Sequence, residues 1–144
     1  MSKKTELLEQ TNKARSSLEK ELVKIEMALG GAKVEQLTPR NKFECIFGRW
    51  FHGDGHLKEL FGPQLYEKLE ALHTEWHTQY GKIYTIYFQE KKGFFNKLLH
   101  KEPSEFEKDK AKAYLDDLQK ITQEMLQTIT VCQRRLNALS DAKF

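Results

Sequence analysis

Apolar residues recur at spacings of three and four over three long stretches of this chain. That period leaves one fold element open to them, an α-helix with a single buried stripe. The first stretch runs from about Thr5 to Leu29, with Leu7, Leu8, Ala14, Leu18, Leu22, Ile25 and Leu29 on one side and Gly30-Gly31 ending it. The second runs from about Gln64 to Lys92 behind Gly62-Pro63. Its stripe is Leu65, Leu69, Leu72, Trp76, Tyr80, Ile83 and Tyr87. The third opens at Pro103-Ser104, where Ser104 and Glu107 have capping-box spacing, and carries Leu118, Ile121, Met125, Ile129, Cys132, Leu136 and Leu139. Long amphipathic segments joined by short connections predict an all-α fold. The expected architecture is a mostly antiparallel four-helix bundle, with a short helix over 42–51 and its neighbours filling the fourth position.

Composition agrees with helix and narrows the function classes. The 144 residues hold three prolines and eight glycines, with no internal repeat and no linker, so one domain over 1–144 is expected. The 24 basic and 21 acidic side chains are interspersed, which reads as solvated helix faces rather than a nucleic-acid stripe. No apolar run approaches membrane-spanning length, and Met1-Ser2-Lys3-Lys4 leads into a polar helix rather than a signal core. Two distant cysteines give no disulfide framework, so a reduced, cytoplasmic setting is expected.

The chemistry is concentrated between Cys45 and His77. His73 and His77 stand one helical turn apart on the same face, beside Leu72 and Trp76, so both imidazoles can reach one ion. Cys45 follows Asn41, whose spacing from Glu44 suits a helix cap. The thiol is therefore expected in a first helical turn, where the helix dipole favours the thiolate. One thiolate and two imidazoles are a donor set for zinc. Gly48 is expected to let the short helix approach a neighbour closely, and Trp50 and Trp76 to shield the site from water. His52, His56 and His100 fall in expected turns and are given no chemistry, and Cys132 is read as core packing.

The run Cys45-Ile46-Phe47-Gly48-Arg49-Trp50-Phe51, the glycine turn after it, and Leu72-His73-Thr74-Glu75-Trp76-His77 resemble the chemoreceptor zinc-binding family. That family is a small helical bundle attached to bacterial chemoreceptors and some diguanylate cyclases. The resemblance covers roughly residues 10 to 90. It implies a zinc ion held by one Cys and three His, of which Cys45, His73 and His77 match three. The family's remaining histidine lies in the opening helix, at a place corresponding here to Arg15, Ser16 or Ser17, so the first zinc histidine is missing. Glu19 and Glu21 lie nearby, and Glu21, one turn beyond Ser17, is the candidate fourth ligand; the fourth position is otherwise expected to hold water or nothing.

The resulting expectation is a stand-alone zinc-binding sensory or regulatory module of bacterial signalling, of the chemotaxis or cyclic-di-GMP type, acting through a partner protein. The alternative is a metal-free helical-bundle protein for dimerisation or interaction. No catalysis is expected, because Glu75 points away from the two histidines between which it lies. A homodimer is expected from the apolar excess over Ile83 to Phe88 and from the family's dimeric habit.

Overall fold

The computed structural model describes residues 2–34, 36–88 and 103–144. Among them the chain is helical without a strand: α1 (Lys3–Leu29), α2 (Ile46–Gly53), α3 (Leu57–Phe61), α4 (Pro63–Tyr87), α5 (Glu105–Ala138) and a final 3-10 turn (Asp141–Lys143). Helix α4 ends at Tyr87 with Phe88 as its C-cap, five residues before the expected Lys92, and Phe94, Phe95, Leu98, Leu99 and His100 lie outside the described residues. No helix among those described is long and apolar enough to cross a membrane.

Local signals set the ends of the long helices. The Ser2 side chain accepts from Thr5 N at 3.1 Å to open α1, and Gly31, at φ 98°, carries the chain away in a conformation other residues resist. Gly62 makes the sharp corner between α3 and α4 at φ 85°, and Pro63 follows in the first turn. The capping box at α5 is complete: Glu107 N donates to Ser104 Oγ, and Ser104 N donates to the Glu107 carboxylate.

Polar ties along the packed helices fix their directions. Lys4 Nζ reaches the carbonyls of Asn137 and Leu139, and Arg15 Nη1 donates to Leu126 O, so α1 runs antiparallel to α5. Arg135 Nε donates to Leu60 O just before α4, and Trp76 Nε1 donates to Thr122 Oγ1 at 2.9 Å, so α4 is antiparallel to α5 as well. Helix α5 therefore packs against both other long helices, and α1 and α4 run parallel to each other. Trp76, Tyr80, Phe47, Phe51, Met125 and Ile129 fill the interior, each large side chain contributing about 1.5–3 kcal/mol through burial.

The short elements differ from expectation. The 42–51 helix starts four residues later, at Ile46, and runs to Gly53, because Cys45 and not Asn41 takes the cap. Asn41 instead closes a separate turn, its Oδ1 accepting from Phe43 N at 2.8 Å and its carbonyl from Glu44 N at 3.0 Å. His52 consequently lies within α2 rather than in a turn. The turn itself is Asp54 to His56, with Asp54 Oδ1 accepting from His56 N. Helix α3 was not anticipated: Leu57, Leu60 and Phe61 are all buried, but five residues are too few for a period to show.

Candidate metal centre

Three segments meet at the site: a strap over residues 36–45, the α4 face carrying His73 and His77, and the middle of α1. Cys45 is the residue before α2, in extended conformation (φ −72°, ψ 160°). Its Sγ accepts from Gly48 N at 3.2 Å, as an N-cap oxygen would. Gly48 is needed there. A side chain on it would collide with the Lys42 carbonyl and sit 3.2 Å from Cys45 Sγ, so the close approach is to the strap and not to another helix.

The three expected ligands converge. Cys45 Sγ, one ring nitrogen of His73 and one of His77 all lie within 4.8 Å of one another, and all three residues are buried. Cys45 Sγ is 3.3 Å from His73 Nε2. His77 Nδ1 is 2.9 Å from Arg40 O, which makes it the protonated nitrogen and leaves the lone pair on Nε2. That Nε2 is buried and has no hydrogen-bond partner among the described residues. A buried lone pair without a donor is costly unless something positive fills the space before it. The carbonyl-anchored imidazole is also the usual arrangement of a metal-bound histidine. His73 is oriented differently. Its Nδ1 has no partner among the described residues, and packing holds the ring, with Phe47 4.7 Å away and His77 4.8 Å away, both edge-on.

Electrostatics suit neutral imidazoles. Burial, followed by the neighbouring His77, His52 and Lys42, drives His73 down to about 3. Burial also lowers His77, against the opposing pull of the Arg40 carbonyl. Cys45 departs from expectation. Burial and then the Glu21 carboxylate raise its thiol, and donation from Gly48 N–H does not overcome them. The helix start therefore does not by itself give a thiolate; a bound cation would have to displace the proton.

The opposite wall belongs to α1 and the strap. A cavity of ≈ 10 Å³ is lined by the three candidate ligands together with Ser17, Glu21, Thr38, Phe47 and Trp76, among others. Of the residues corresponding to the missing histidine, Ser17 lines this cavity, whereas Arg15 is directed to α5. Glu21 faces the cavity too. Its Oε2 accepts from the Thr38 hydroxyl, and its Oε1 lies 3.2 Å from Lys24 Nζ. Its oxygens are not part of the group of ligand atoms within 4.8 Å.

Several participants escaped sequence reasoning. Thr38 holds Glu21 by its hydroxyl and accepts from Tyr80 OH through its carbonyl at 2.6 Å; Arg40 contributes only a carbonyl. Backbone acceptors leave no residue-type signal. Phe47, rather than Trp50, screens the site beside Trp76. Trp50 packs on Phe47 and Phe61 and borders an open groove with Lys13 and Arg49. His52 is half-buried next to Glu70 (3.3 Å), which also pairs with Lys42 at 2.6 Å and so ties the strap to α4 outside the site. Cys132 lies in the apolar core, where burial pushes its thiol up to about 11. Glu75 is exposed. Ile83 is fully buried, and Tyr84, Tyr87 and Phe88 pack against this chain's own core, so most of the apolar excess over 83–88 is used internally.

No family model, curated protein or solved structure matches this chain.

Proposed function

We propose that this protein is a zinc-binding sensory or regulatory module, with Cys45, His73 and His77 as ligands. The observation that carries it is the buried, unpartnered Nε2 of His77, turned away from its Arg40 anchor and grouped with Cys45 Sγ and a His73 nitrogen. A thiolate with two neutral imidazoles favours zinc over harder cations such as magnesium or calcium. The resemblance of the Cys45–Phe51 and Leu72–His77 motifs to the chemoreceptor zinc-binding family supports the same ion. It also supports a bacterial signalling role, a four-helix arrangement with α2 and α3 in the fourth position, and cytoplasmic output through a partner protein. Homodimerisation rests mainly on that resemblance, since Ile83, Tyr84, Tyr87 and Phe88 pack in or against this chain's own core. Binding and not catalysis is the proposed role.

Signalling requires that zinc favour one of two packings. The strap is the element placed to differ between them, because Arg40, Thr38 and Lys42 each touch the site or its supporting residues. The second reading, a metal-free interaction bundle, is favoured by one contact: at 3.3 Å the Cys45 thiol can donate to His73 Nε2 and satisfy both without an ion.

Metal analysis of the purified, reduced protein at neutral pH separates the two. One zinc per chain, with a raised melting temperature on zinc addition, is expected. Protein that takes up no zinc under those conditions leaves the interaction-bundle reading standing.

A further inference from the structure

The site has an acidic wall as well as a thiol and two imidazoles. The cavity they share has room for about one water-sized sphere at ≈ 10 Å³. An ion bound by Cys45, His73 and His77 uses that room, so a fourth donor has to come from the wall and not from an additional solvent molecule. Three other polar side chains there carry an oxygen: Ser17, Glu21 and Thr38. Ser17 Oγ donates to Ala14 O at 2.6 Å, and Thr38 Oγ1 donates to Glu21. Neutral hydroxyls are not usual zinc ligands, whereas a carboxylate is.

Charge points the same way. A dication with one thiolate leaves a net positive charge in a buried pocket, and one carboxylate cancels it. The Glu21 side chain is only 14% exposed, so it is already committed to the interior. Its other contact, Lys24, is 37% exposed and is a weak hold that a metal ion would displace. To reach the ion, Glu21 has to turn its side chain toward His73 and His77, with one oxygen on the ion and the other on the Thr38 hydroxyl.

We propose that Glu21 is the fourth ligand, completing a thiolate, bis-imidazole, carboxylate centre of zero net charge, with Thr38 as the residue that positions it. This rests on the zinc reading above. Ligating carboxylates are characteristically held by such a hydrogen bond. The strap is thereby coupled to the ion from both sides, through Thr38 to Glu21 and through Arg40 to His77.

The test uses the reduced full chain loaded with zinc or with cobalt(II). Zinc affinity is read by competition with a chromogenic chelator. Coordination number is read from the cobalt visible absorption, which is strong for four ligands and weak for more. Glu21→Gln keeps the side-chain size and an acceptor for Thr38; it is expected to weaken zinc by about a hundredfold and to change the cobalt absorption as the anionic donor is lost. Thr38→Val is expected to weaken zinc by about tenfold, the scale of losing a partner behind a ligand. Glu21→His exchanges an oxygen donor for nitrogen and should hold zinc while shifting the cobalt bands; it also serves if Glu21→Gln does not fold. A Glu21→Gln or Glu21→His protein with wild-type affinity and wild-type cobalt spectrum overturns the Glu21 assignment and leaves the Cys45–His73–His77 centre intact. Wild-type protein that binds neither metal overturns the centre itself.

Discussion

Cys45 and Cys132 are both free and both buried, yet they occupy unlike surroundings. Cys132 stands on the inward stripe of α5, in the cluster that also holds Met125, Ile129 and Leu136. Its thiol is raised to about 11 chiefly by burial, and it serves as a small apolar group. Cys45 is at a helix start, with Gly48 N–H donating to it, His73 Nε2 at 3.3 Å and the lone pair of His77 close by. Burial is common to the two. What distinguishes the Cys45 corner is that possible ligand atoms from separate segments converge, and that the lone pair of His77 Nε2 has no donor among the described residues. Burial alone marks packing; a buried lone pair without a donor, grouped with a thiol and a second imidazole, marks a place for a cation.

The largest effect that would break this contrast is on metal affinity. Cys45→Ala removes the one soft anionic donor and should weaken zinc by at least about a hundredfold, since even partners behind ligands are worth tenfold or more. Chelator competition measures it, and an unchanged affinity would place the metal elsewhere. Next is Gly48→Ala. The added methyl group has to push the Lys42 carbonyl and Cys45 Sγ aside, at a cost of about 2 kcal/mol in metal-free stability by denaturant unfolding, together with weaker zinc binding. A neutral result would mean that the strap is free to move away.

Acid sharpens the contrast from the histidine side. His73 is held at about 3, below its ordinary 6.5, and His77 is lowered too, so the folded protein refuses protons that the unfolded chain accepts. Above about pH 6.5 neither state is charged at these rings, and they add no pH dependence. Below it, stability falls by up to about 1.4 kcal/mol per pH unit for His73 until its folded value is reached. Metal-free melting temperatures should therefore be flat from pH 8 to 7 and drop from pH 6.5 to 5. His73→Asn should reduce that drop, and an equal drop without His73 would assign it to other groups. The smallest effect belongs to the other cysteine: Cys132→Ala should cost about 1 kcal/mol, the scale of one buried heavy atom, and leave zinc affinity unchanged. A change in zinc affinity there would erase the distinction between the two thiols.

What the sequence could determine was local. Apolar spacing reports which face of a helix is buried. Leu69, Leu72, Trp76, Tyr80 and Ile83 on α4, and Leu118 through Leu136 on α5, are accordingly where the period put them. The four-residue step from His73 to His77 fixed their shared face for the same reason, and Ser104 with Glu107 announced the start of α5. The rest depends on contacts between residues far apart in the chain, for which no local period exists. Tertiary packing decided that Cys45 caps α2, because the Lys42 carbonyl closes against Gly48. It decided that Thr38 lies between Glu21 and Tyr80, and that an Arg40 carbonyl sets which nitrogen of His77 is free. A backbone carbonyl looks the same in every residue, and only the folded chain shows which of them face a ligand.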